Sequence, residues 1–146
     1  MKPYMLILFG AFFLLACQND RSKNNHGDEL TAEEEFLTFR KKFLRDSLFQ
    51  VTHITFPLDG RPDKASAGDT LPNGQFMWQE DKWLMHKEID PARSGFVVKY
   101  SWLTDNMVEE TLINEQVGLG MMRRFAKRPG EDWELIYYIG LSSVRQ

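Results

Sequence analysis

The stretch Thr31-Ala32-Glu33-Glu34-Glu35-Phe36-Leu37-Thr38-Phe39-Arg40-Lys41-Lys42-Phe43-Leu44 opens the folded part of the chain. Thr31 followed three residues later by Glu34 is a capping box. The threonine oxygen accepts a first-turn backbone N–H, and the glutamate reaches back to the backbone of Thr31. Glu33, Glu34 and Glu35 put negative charge at the positive end of the helix dipole. Phe36, Phe39 and Phe43 recur at helical spacing with Leu44 beside them, so an apolar stripe runs along a helix over about residues 32–47. Arg40, Lys41, Lys42 and Arg45 are expected on the other side and the carboxyl end, as a solvated basic face.

Downstream the pattern changes to alternation. Phe49 to Leu58 reads as a strand, with Thr52, Ile54, Phe56 and Leu58 on one face and Val51, His53 and Thr55 on the other. Pro57 has no N–H to give a ladder, so this strand is expected at an edge or to end there. Residues 59–74, with Gly60, Pro62, Gly68, Pro72 and Gly74, read as a long loop. Residues 75–88 fit either a short helix or two strands around Glu80-Asp81. Phe96, Val98, Tyr100 and Trp102 then alternate with Val97, Lys99, Ser101 and Leu103, and Thr104-Asp105-Asn106 is a turn. Val108 to Lys127 is too long for one strand and must break near Gly118 and Gly120. Residues 128–132 close a hairpin into a last strand, Trp133 to Leu141. The expected fold is α+β: an N-terminal helix packed on a curved antiparallel sheet of about four to six strands.

Upstream of Thr31 the chain has a different character. Lys2 precedes an apolar run, Met5 to Leu15, of 11 residues, and Leu14-Leu15-Ala16-Cys17 follows. A membrane span needs roughly 17–25 apolar residues, more than this run supplies, whereas an export signal needs about 7–15. Ala16-Cys17 resembles the lipobox of bacterial prolipoproteins. That resemblance implies cleavage before Cys17 and acylation of its thiol and new amino group, with palmitate among the acyl chains. Several chains together anchor stably. Cys17 is the chain's only cysteine, so no internal disulfide forms. Gln18 to Leu30 has no apolar residue before Leu30 and reads as a flexible tether, roughly 20 Å in reach. The expected organisation is therefore a signal at 1–16, acylated cysteine and tether at 17–30, and one globular domain at 31–146. Gln18, in place of an aspartate, favours the outer membrane by the sorting habit of Gram-negative envelopes, with the leaflet left open.

Removing residues 1–16 takes Lys2 and no acid from 18 basic and 21 acidic side chains, which leaves 17 against 21, a net charge of −4 with His neutral. Nucleic acid, which asks for a basic face, is not an expected partner.

The residues Phe39-x3-Phe43-x2-Asp46-Ser47-x-Phe49-Gln50, followed by Phe56-Pro57-Leu58 and the central tryptophans, resemble a family of uncharacterised bacterial lipoproteins catalogued as a domain of unknown function. The order of elements is similar to nuclear transport factor 2-like and cystatin-like folds. Arg124-Phe125, Gly130 and Trp133-Glu134-Leu135 are similar to the closing pattern of the former. Such folds host enzymes, binders and scaffolds, so the resemblance implies a layout and no site.

Chemistry-bearing patterns are sparse. His26, His53 and His86 are far apart and in no paired ligand spacing, so no metal or other cofactor is expected. There is no Gly-x-Ser-x-Gly elbow, and no catalytic residue is assigned. Asp46, Asp59 and Asp81 lie near ordered elements, with solvated charge as the default. Trp78, Trp83, Tyr100 and Trp102 either join a large aromatic core or line an apolar ligand pocket on a concave sheet face. Asp46-Ser47-Leu48 and Asp69-Thr70-Leu71 resemble envelope O-glycosylation sequences, and only Thr70 falls in an expected loop. The leading expectation is a non-catalytic envelope lipoprotein that binds a protein partner or small ligand. Its rival is a small pocket enzyme, a hydrolase or isomerase using a carboxylate or His53. A protease-inhibitor-like module is a third reading without a supporting loop motif.

Overall fold

The computed structural model describes residues 30–63 and 70–144. Cys17, the export signal, the tether up to Glu29 and Asp69 lie outside these residues.

Helix α1 spans Ala32–Phe43, and its capping box forms as expected: Glu34 N–H donates to the Thr31 side chain, and Thr31 N–H donates to Glu34 at 2.9 Å. Phe36, Phe39 and Phe43 are its buried residues. The helix stops earlier than its periodicity suggested. Asp46 caps a second helix, α2 (Ser47–Thr52), by accepting the Phe49 N–H at 3.0 Å. The strand expected from Phe49 is therefore helical up to Thr52, and β1 runs Ile54–Arg61. A strand reading of Phe49 to Thr52 missed that an aspartate three residues ahead of Phe49 supplies a cap.

Beyond β1 come β2 (Phe76–Trp78), a 3₁₀ turn (Glu80–Lys82) and a one-turn helix α3 (Pro91–Ser94). The five long strands are β1 and the antiparallel meander β3 (Val97–Thr104), β4 (Met107–Asn114), β5 (Leu119–Lys127) and β6 (Trp133–Ser143). Residues 75–88 thus hold one short strand and a 3₁₀ turn instead of either expected pairing. The fold is α+β around one six-stranded sheet ordered β2-β1-β6-β5-β4-β3. It is mixed, because β1 runs parallel to β6. The break expected in 108–127 falls at residues 115–118, where Gly118 has φ +64°.

Pro57 does not mark an edge. β1 lies between β2 and β6, and its register against β6 shifts between Ile54 and Asp59. The proline falls inside that gap, where no ladder bond is asked of it. Gly60 is needed at the next point of contact, because a Cβ there would collide with the Tyr138 carbonyl.

The core sits between α1 and one face of the sheet. Phe36 meets Tyr100, Trp102, Phe125 and Trp133 edge-on at centroid distances of 5.2–5.9 Å. Phe39, Phe43, Leu58, Val108 and Leu135 belong to the same core.

Candidate functional site

Inward-facing positions of β4 follow alternation: Val108, Glu110, Leu112 and Asn114 are buried. On β5 the corresponding positions include Arg123 and Phe125. A carboxylate and a guanidinium are thereby carried into the interior by strand geometry. Glu110 pairs with Arg123 in register across the sheet, and both side chains are fully buried. Arg40 completes the cluster from α1: its Nε donates to Glu110 Oε1 at 2.5 Å. The basic residue expected on a solvated face points inward instead, because position 40 adjoins Phe39 and lies one turn after Phe36 on the same stripe.

Two guanidinium groups therefore share one carboxylate. Arg123 Nε is 2.9 Å from Glu110 Oε2, but the approach is off-line, and neither atom has a hydrogen-bond partner of good geometry. Arg123 Nη2 has none either. Burial lowers the proton affinity of Arg123 and Glu110 opposes that; a guanidinium stays protonated either way.

A strap without regular structure, residues 83–90, brings His86 to this cluster. Its Nδ1 lies 3.5 Å from Arg123 Nη1. A guanidinium only donates, so Nδ1 is the acceptor and the ring proton is on Nε2. Burial first, and the Arg123 charge second, hold the imidazole's pKa well below its ordinary 6.5. Below pH 6.5 the unfolded chain binds a proton that the folded chain refuses, so stability falls as pH drops through 6.5 towards the folded value. The slope reaches about 1.4 kcal/mol per pH unit. Urea unfolding from about pH 7.5 to 5.5 should show this loss, and His86→Gln should remove its part of the slope.

Gln50 fixes the strap. Fully buried, its Nε2 donates to Phe43 O at 2.7 Å and to His86 O at 2.9 Å. Its Oε1 accepts from Trp83 Nε1 at 3.1 Å and His86 N at 2.8 Å. Beside this junction lies a cavity of about 190 Å³, lined by Leu44, Arg45, Asp46, Ser47, Gln50, Met85, His86 and Lys87. Arg45 of the lining pairs with Glu88 at 3.1 Å. A larger cleft of about 280 Å³ runs past Phe39, Phe49 and Trp133. In its lining Lys127 pairs with Glu35 at 2.7 Å and Lys42 lies over the Phe49 ring, while the Trp133 indole N–H has no acceptor.

The four aromatics singled out from sequence fall into two groups. Trp78 and Trp83 meet each other at 6.1 Å, both against Tyr138, and line a cavity of about 60 Å³. Tyr100 and Trp102 flank Phe36 at the other side, on edge strand β3. Thr70 is exposed in an isolated bridge to Phe76. Asp46 is spent as a helix cap, Asp59 accepts from Gln75 at 3.4 Å, and Asp81 is exposed. His53 Nδ1 lies 2.7 Å from the Phe49 carbonyl, and its Nε2 is 3.7 Å from Asp132. Among the described residues no three His, Cys, Asp or Glu side chains converge as a metal site, and no helix is long and apolar enough to cross a membrane.

A cystatin-like protein from Bacteroides caccae superposes with a TM-score of 0.50 at 18% identity, over 71% of this chain and 74% of its own. The chain has that fold. A nuclear transport factor 2-like protein from Bacteroides fragilis is also similar, with a TM-score of 0.48 at 17% identity over 75% of this chain. This chain spans 47% of that protein's length. No protein-family model and no curated protein matches the sequence.

Proposed function

We propose that the domain is a non-catalytic binding module of a lipid-anchored cell-envelope protein, and that its ligand occupies the cavity between the α1–α2 corner and the strap. The observation that carries this is the cavity's lining, where the His86 imidazole, on a backbone held by Gln50, lies next to the surplus charge of Arg40 and Arg123. Ligand sites are concave and mostly apolar with a few convergent polar groups, commonly about 300–1,000 Å³. At about 190 Å³ this one suits a small molecule or the end group of a larger one. The anchor is Cys17 and the expected setting is the outer membrane of a Gram-negative envelope.

The protein purified from its own membranes should carry a bound small molecule in native mass spectrometry. Ser47→Trp, which fills the cavity from its exposed rim, should abolish recovery with folding intact. Equal recovery from wild type and Ser47→Trp contradicts the cavity as the site. Cys17→Ser should leave the membrane fraction and remain folded; retention at the wild-type level contradicts the anchor.

The enzyme reading keeps one supporting observation, that His86 opens into the cavity. An imidazole held neutral well below its ordinary pKa is a weak base near pH 7. Turnover that vanishes in His86→Asn while ligand binding persists would favour it.

A further inference from the structure

We propose that the ligand of this cavity carries an oxyanion, a carboxylate or phosphate group, which seats against the Nη1–Nη2 edge of Arg123, where Nη2 has no partner and Nη1 meets His86 at 3.5 Å; the inference rests on the cavity being a ligand site. The interior is short of negative charge. Arg40 and Arg123 share the one carboxylate of Glu110. His86 is neutral, and burial raises both Tyr100 and Tyr138, the latter to about 12, so both phenols keep their protons. Glu88 is paired outside with Arg45. A buried cation with an unused donor is costly unless an anion meets it. Planar guanidinium donors suit a carboxylate or phosphate better than a spherical ion.

His86 lies between the cavity and Arg123, lining the one and touching the other. Gln50 holds the backbone of His86 by both its N–H and its C=O. The imidazole itself is held only by the long Arg123 contact and by the rings of Trp83 and Tyr138, with centroids at 4.5 and 4.6 Å. In the complex the imidazole turns aside on a fixed backbone and the oxyanion takes its place at the guanidinium. At the cavity wall Arg45 is paired with Glu88, and Lys87 faces the same space as the helix-capping Asp46, so the wall itself is close to neutral and the draw on an anion comes from the guanidinium groups behind His86.

The test is thermal unfolding of the full chain in mild detergent, titrated with sodium phosphate, sodium acetate and, at matched ionic strength, sodium chloride. Phosphate or acetate should raise the midpoint by roughly 5 °C per tenfold concentration once binding saturates, and chloride should not. A response to phosphate alone assigns a phosphoryl group, and to acetate alone a carboxylate. Arg123→Gln should abolish the response. Because that variant strands Glu110 and can fail to fold, Glu110→Gln is the second arm. It frees two guanidinium groups, so its response should appear at about tenfold lower anion concentration. No difference from chloride in both wild type and Glu110→Gln overturns the inference. If a neutral molecule is then recovered from wild type and excluded by Ser47→Trp, the cavity reading stands and only the oxyanion falls. If Ser47→Trp excludes nothing, both fall.

Discussion

Phe36→Ala is expected to lower the unfolding free energy by roughly 3–5 kcal/mol, the upper range for truncating a buried aromatic. Phe36 is 1% exposed and is the ring on which the two layers of the domain meet. Its neighbours are Tyr100 and Trp102 from β3, Phe125 from β5 and Trp133 from β6, all within 5.9 Å. Rings fixed to three separate strands do not close into the space an alanine leaves, so the void persists. Lost edge-on aromatic contacts add about 0.5–1.5 kcal/mol apiece to the lost burial, with incomplete additivity. Urea denaturation measures the change. Leu37→Ala, one residue along at an exposed position, should stay within about 0.5 kcal/mol of wild type. A loss below about 1 kcal/mol at Phe36 would contradict the packing described.

Gln50→Ala should cost about 3 kcal/mol or more, although it removes no apolar ring. Four partners lose their bond to the amide: the Phe43 and His86 carbonyls, the His86 N–H and the Trp83 indole. Buried groups left without partners cost about 1–3 kcal/mol each unless water reaches them. Water does have a route here through the adjoining cavity, so the sum is less than four full penalties. The local signature is sharper than the global one. Hydrogen exchange at the His86 amide should accelerate by orders of magnitude relative to the α1 amides, because Gln50 ties the strap to the helix corner. Unchanged exchange at His86 would mean that the strap is held by something else. The same variant should lose the cavity's ligand, since it removes part of the lining.

The sequence carried the fold where a local rule had a single outcome. Thr31 and Glu34 could only start a helix, and the alternation from Val97 onward could only be an antiparallel meander. It misled where two rules competed. Phe49 to Thr52 alternates well enough for a strand, yet Asp46 caps it as a helix. Pro57 lacks a donor, yet the register shift around it leaves no donor wanted. The parallel β1–β6 pair was not legible, because it joins segments some 80 residues apart and no local pattern encodes it. The charged cluster was legible in part: Glu110 lies in phase with Val108 and Leu112, Arg123 with Phe125, and Arg40 on the stripe of Phe36 and Phe43. Charged residues in an apolar phase are a signal that an overall count of charges conceals. Gln50 gave no signal, since its role depends on where residues 83–86 return to the helix corner.

The most direct test of the account is a crystal structure of the protein purified from its own membranes without unfolding. A small molecule is expected in the cavity beside Gln50 and His86, with the imidazole turned from Arg123 and an oxygen of the ligand within hydrogen-bond distance of the guanidinium. A cavity holding water alone, with His86 still on Arg123 and no ligand elsewhere against Gln50, would contradict it.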